Sequence, residues 1–245
     1  GEATADAAGS GGVSVSLVGA GVNAVSAQSA TTNTASLTGA GSLDAGSVSI
    51  KAKSLTSATA NARTGVEVSL VIAGSMNADS STRDTVEVLV QGLEVTVRGA
   101  VTAEAIGNTA SSATAASETD VSLVAGGVNT AEATVGTSAT GRQSVSVKVD
   151  GGSIEAQKDV TLRAYNTGDA EASIEKGKTV AAGSARVTVL PTKAWYDTGV
   201  DVLNGAVIRS TGGSVNVLSE DDTKAESVAR GTSIGIAIDA DVTHG

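Results

Sequence analysis

The sequence predicts an all-β fold: a parallel β-helix, or β-solenoid, of about four stacked repeat units, each of roughly 50–60 residues with three strand motifs. Long runs of period-two alternation, one motif order repeated along the chain, and a composition too poor in large side chains for an ordinary core all point there. The alternation is clearest in GGSIEAQKDVTLRAYNTGDAEASIE (151–175). Val160, Leu162, Ala164, Asn166, Gly168, Ala170, Ala172 and Ile174 share one parity there, while Thr161, Arg163, Tyr165, Asp169, Glu171 and Glu175 take the other. Successive strand residues point to opposite faces, so one face is small and mostly apolar and the other is charged and wet. The same pattern runs from Ile50 through Ala52, Ser54, Thr56, Ala58, Ala60 and Ala62 to Val68 and Leu70, predicted to share one inward face.

The repeat is carried by three motifs in fixed order. Val15-Ser16-Leu17-Val18 returns as Val68-Ser69-Leu70-Val71 and as Val121-Ser122-Leu123-Val124, with worn copies at Val180-Ala181-Ala182-Gly183 and near Ser233-Ile234-Gly235-Ile236. A second motif runs a strand into a glycine: Leu37-Thr38-Gly39, then strands ending at Gly92, Gly151 and Gly205. The third begins at Val48, Val95, Val160 and Val215. Stacking equivalent segments at ~4.8 Å pairs the backbone of every inner coil. The four glycines suit corners that need positive φ, and Asn23, Asn77 and Asn129 suggest a stacked asparagine ladder at a turn. A unit could form one wide coil or two narrow ones. Both chain ends cut a unit, so residues 1–245 read as a single solenoid segment excised from a longer array.

Composition supports this architecture and excludes others. Among 245 residues there are no Phe or Cys, one Met, one Trp, two Tyr, one Pro and 30 Gly. A compact core depends on large side chains, each contributing roughly 1.5–3 kcal/mol when buried, and this chain has few. Frequent Gly, Ser, Thr and Val disfavour helical bundles. The scarcity of Pro and the long alternating runs argue against disorder. A formal net charge of −10 is unsuited to phosphate backbones, so nucleic acid is not an expected partner. No apolar run reaches the ~18–20 residues of a membrane span.

The segments GGSIEAQKDVTLRA (151–164) and GSLDAGSVSIKA (41–52), and more loosely NGAVIRSTGGSVNVLS (204–219), resemble the repeats of filamentous-haemagglutinin-like and leukotoxin-like adhesins, the large secreted exoproteins of Gram-negative bacteria. The resemblance implies a right-handed β-helix shaft, placed outside the cell at the bacterial surface and working by adhesion. It also implies partners of two kinds. One is other copies or neighbouring repeats of the same protein, met end to end or laterally; the other is a host or cell-surface glycan or protein. The longer unit departs from the shorter coil usual in that family.

Candidate chemistry is sparse. Lone His244 has no second His or Cys to share a metal or a triad with, and reads as a solvated terminal residue. Trp195 and Tyr196, just after Pro191, are the candidate ligand-binding residues, as a stacking platform for a sugar ring. Adjacent strand residues point oppositely, so the plainer expectation is that they cap a corner. Ser219-Glu220-Asp221-Asp222 with Asp239 and Asp241 could offer oxygens to Ca²⁺, yet match no calcium-loop pattern and read as a solvated acidic turn. Asp159, Asp169, Glu171 and Glu175, with Arg163, are predicted to line one outer face, spread as solubilising charge is. A carbohydrate-active β-helix enzyme would need acids converging with a cation, and no pocket is expected to combine them. Threonines Thr31, Thr32 and Thr34 are not repeated coil by coil as an ice-binding ladder would be. No catalytic, cofactor or metal residue is therefore assigned, and the expected function is mechanical, with the carbohydrate-active enzyme and a glycan-binding module as its alternatives.

Overall fold

The structure, a computed structural model, describes residues 2–136 and 141–244, with side chains through Gly231. The strands are β1 (Glu2–Ser10), β2 (Ser14–Ala45), β3 (Val48–Thr64), β4 (Glu67–Val97), β5 (Val101–Ser117), β6 (Asp120–Val135) and β7 (Gln143–Asp150). They continue as β8 (Ser153–Ala156), β9 (Val160–Val189), β10 (Thr192–Ala194), β11 (Tyr196–Leu203), β12 (Val207–Ser210) and β13 (Val215–His244). Among the described residues these 13 strands form one sheet, and the pairings are parallel. The fold is a parallel β-solenoid.

Register shows that one repeat unit is one wide turn. Val15 lies over Val68, Val68 over Val121 and Val121 over Val180, in steps of 53, 53 and 59 residues. Val48, Val101, Val160 and Val215 stack likewise, in steps of 53, 59 and 55. Copies of the first motif therefore lie directly above one another, but the third motif departs from expectation in one coil: Val95 stacks between Leu43 and Ile154, and Val101 takes the place expected for it. Four to five such turns at ~4.8 Å make a slab only about 20 Å tall along its axis.

Each turn encloses two cores of different width. In the wider one, Val86, Val88 and Val90 of β4 meet Val95 and Val97 beyond the corner, and Val101 and Ala103 of β5 close the third side. Ile154 and Leu162 occupy the same core one coil on. The corner needs glycine: Gly92, Gly151 and Gly205 have φ of 72°, 65° and 73°, and a Cβ on Gly92 would lie 2.6 Å from the carbonyl oxygen of Gly39. The second core is a blade of two facing walls, with Ala58, Ala60 and Ala62 of β3 against Met76 and Ala78 of β4, repeated below by Ala113, Ala115, Ala131 and Ala133. Alanine leaves so little between the walls that Ser80 Oγ donates across to the Ala58 carbonyl at 2.7 Å, and Ser111 Oγ to the Ser80 carbonyl at 2.8 Å.

A polar seam divides the cores. Fully buried Asp84 accepts hydrogen bonds from Thr31 Oγ1 at 2.8 Å and from Ser54 Oγ. Further along, buried Gln143 donates to Asn166, whose amide donates to Asp221 at 3.3 Å. These hydroxyls, amides and carboxylates pair with one another, as buried polar groups generally do, although Gln143 Oε1 is buried without a partner.

Three further sequence expectations need correction. The asparagines form no ladder: Asn23 and Asn129 both stack on Met76, whereas Asn77 lies between Ala24 and Thr130. Stacked Gly21, Gly74 and Gly127 fix the register, and the second copy has one more residue between its glycine and its asparagine. The inward parity does not reach Val68 and Leu70. It ends at the non-strand pair Gly65–Val66, after which Ser69 and Ile72 are buried while Val68 and Leu70 face out. Ser219–Asp222 is not a turn, because it lies in β13 and pairs with Ala164–Thr167.

Candidate functional site

The parity switch after Gly65 gives the first-motif strands an unusual outer surface. Val68, Leu70 and Val71 in the second coil are 39%, 49% and 40% exposed, and Val121, Leu123 and Val124 in the third are 40%, 56% and 53% exposed. Val15, Leu17 and Val18 of the first coil complete a three-by-three block of exposed aliphatic side chains. Residues 68–78 and 121–131 contain no charged side chain, nor do residues 7–43. Beside this ridge the small residues Ala20, Gly21, Ala73, Gly74 and Gly127 line a shallow trough of about 370 Å³, bordered by Val22 and Val128.

The inward face of the same strands carries charge. Glu67 sits over Asp120, and Arg186 occupies the place that Gly127 holds one coil above. Arg186 reaches back to pair with Asp120, leaving their side chains 11% and 7% exposed. Burial pushes the Glu67 carboxyl above its ordinary range, Asp120 pushes the same way, and Arg186 draws it partly back. Asn129 Nδ2 and Arg186 Nε are buried without a partner. Glu67, Asp120, Asn129 and Arg186 line a cavity of about 30 Å³. Contrary to expectation, a pocket here does combine two acids with a base. It has room for a water or two and is far below the roughly 300–1,000 Å³ of an organic ligand site, so it will not admit a sugar ring. Aligning the repeats would have exposed the acid pair, since Glu67 and Asp120 each immediately precede the Val-Ser-Leu-Val motif. Arg186 gives no such signal, because the three coils before it place glycine in its column.

Trp195 lies at a corner between β10 and β11. Its N–H donates to the Val135 carbonyl at 2.7 Å, and its carbonyl accepts from Gln143 N–H at 2.9 Å. It thus bridges the two ends of the extra residues that the third coil carries between β6 and β7. Lys193 Nζ lies 5.9 Å from the centroid of the Trp195 ring and pairs with Glu132 at 2.9 Å. Tyr196 pairs through its backbone with Gln143 and is 36% exposed.

The predicted acidic face is split. Asp169, Glu171 and Glu175 are exposed on the outer face of β9, whereas Asp159 sits in a corner, where its Oδ1 accepts from Ser214 N–H at 2.8 Å. Arg163 pairs with Glu220 at 2.7 Å and lies over the Tyr165 ring. Asp221 accepts from Thr198 Oγ1 as well as from Asn166. Among the described residues no three His, Cys, Asp or Glu side chains converge as a metal site. The side chains of Asp239, Asp241 and His244 lie outside the described residues.

The outer ion pairs join successive coils: Lys51–Glu104 at 2.6 Å, Lys148–Glu87 at 2.9 Å and Lys193–Glu132 at 2.9 Å. They add to the axial stack and converge on no common point. No family model, no curated protein and no solved structure matches this chain.

Proposed function

We propose that this chain is a non-catalytic shaft segment of a large bacterial surface adhesin or extracellular filament, a rigid body that holds a binding region at a distance or builds a fibre. The observation that carries this reading is the axial register, which persists from coil to coil with local shifts only at Thr38/Gly41, Arg230/Thr232 and Gly235/Ile238. Equivalent residues stack through every described coil, so load along the axis is shared by continuous backbone ladders and by the inter-coil ion pairs. The two side-chain constellations an enzyme could use fit that role poorly: the acid pair lies in a cavity too small for a sugar, and the outer acids are dispersed along a strand.

In a protein made of these residues alone, the outermost described coils would present backbone ladders open on one side, and such edges recruit further strands. End-to-end association follows. Light scattering should detect concentration-dependent growth, and oriented samples should diffract at ~4.8 Å along the stack. A strict monomer at high concentration counts against the shaft. Release of reducing ends from a polysaccharide panel, lost in Glu67→Gln or Asp169→Asn, would replace it with an enzyme. The single Trp makes the glycan-binding alternative testable by fluorescence, and a saturable shift on adding a glycan would favour it.

A further inference from the structure

We propose that the ridge and trough of the first-motif strands form a lateral docking surface for a second copy of this chain, the two copies running parallel with their coils in register. This goes beyond the shaft reading and does not depend on it, since an enzyme or a binding module could pair in the same way.

Size is the first consideration. The exposed surface of the nine Val and Leu residues in this block amounts to roughly 800 Å², comparable with the roughly 800 Å² per partner of a stable interface and above the few hundred of an ordinary surface patch. Individual valines on a strand surface need no explanation. A contiguous block of nine in three consecutive coils does.

Charge is the second. The chain carries −10 overall, so two copies repel wherever their acidic faces meet. The stretches that bear this block, residues 14–43, 68–78 and 121–131, are uncharged, and they contain none of the lysines that commonly protect exposed β surfaces from association. Across this block, two acidic copies could approach without opposing charge.

Shape selects the occupant and its direction. Leu17, Leu70 and Leu123 form a raised row, and four residues along each coil Gly21, Gly74 and Gly127 form a hollow row. A partner must offer a matching row at the same ~4.8 Å repeat to fill every level, and a second copy does. A two-fold axis parallel to the solenoid axis sets each leucine row against the partner's glycine row. A two-fold axis perpendicular to it would set leucine against leucine and leave both troughs empty. The interface is therefore isologous and parallel. The axis falls on the column of Ile72 and Ala125, so Ala73 lies opposite Val71 of the partner copy and Gly126 opposite Val124 one coil below, each within two residues of its own symmetry mate.

The chain has no cysteine, so a single introduced thiol reports on one position. Ala73→Cys and Gly126→Cys, each oxidised with copper phenanthroline, should both yield disulfide dimers about tenfold faster than Ser112→Cys on the outer wall of β5. Adding Leu70→Glu and Leu123→Glu, both at exposed positions, should bring the rate down to that of the control. Circular dichroism establishes that the variants are folded, and the cysteine variants with the ridge intact test the idea even if the glutamates disturb folding. Equal rates at all three positions overturn the proposal, as does capture at only one of residues 73 and 126. Wild-type protein that stays monomeric and instead sediments with phosphatidylcholine vesicles also overturns it. End-to-end stacking leaves both thiols uncaptured, because they lie in inner coils, so failure here is distinct from failure of the shaft reading.

Discussion

Arg186 and Glu67 set the energetic terms at the residue scale. Arg186 stands below three stacked glycines and neutralises Asp120, whose side chain is 7% exposed. Removing one partner of a buried pair leaves the other uncompensated, so Arg186→Ala should destabilise the fold by roughly 3 kcal/mol in urea denaturation. Glu67 behaves oppositely. Its folded carboxyl titrates above the ordinary value of 4.5, first because it is buried and then because Asp120 is near. Between the unfolded value and that raised one, the folded chain binds more protons than the unfolded chain. Stability from this group is therefore greatest at low pH, falls as pH rises through that window, and is level above it. Glu67→Gln should remove that component. Plotted against pH, the stability of the variant minus that of wild type should be flat in acid, rise through the window and stay positive at neutral pH.

The two cores make different demands on their elements. In the alanine blade the walls are within reach of a serine hydroxyl, so an added side chain has nowhere to go. Ala113→Leu should cost about 1–3 kcal/mol by overpacking and make the melt less cooperative. In the wider core, Leu162→Ala should cost about 2–5 kcal/mol by leaving a cavity. Chemical denaturation of both variants separates the two kinds of interior. The strand order, the corner glycines and the inward row Val160 to Ile174 were all legible in the sequence, because period-two alternation and positive φ leave local signatures. The outward turn of Val68 and Leu70 was not. It depends on the Gly65–Val66 break, where two residues outside any strand change which parity faces the core, and nothing in the flanking alternation signals that. Of the Glu67–Asp120–Arg186 cluster, the acid pair could be read by aligning the repeats, but Arg186 could not, because register alone brings it to them from a third coil.

For the molecule as a whole, register makes the coil the unit of change. Because Ser14 stands over Glu67 and Glu67 over Asp120, removing residues 67–119 joins equivalent points and should leave a shorter solenoid with a single cooperative transition. Removing residues 67–93 cuts mid-coil and should abolish it; thermal melts by circular dichroism distinguish the two. The steps of 53 and 59 residues differ because of the stretch between Val135 and Gln143. The next coil spans that gap with Trp195 alone and still stacks at ~4.8 Å on both sides of it. Sequence can thus be gained or lost at this corner without disturbing the ladders above or below. That makes it a natural port for grafting: a foreign epitope spliced in there would be displayed on the flank of an otherwise unaltered scaffold.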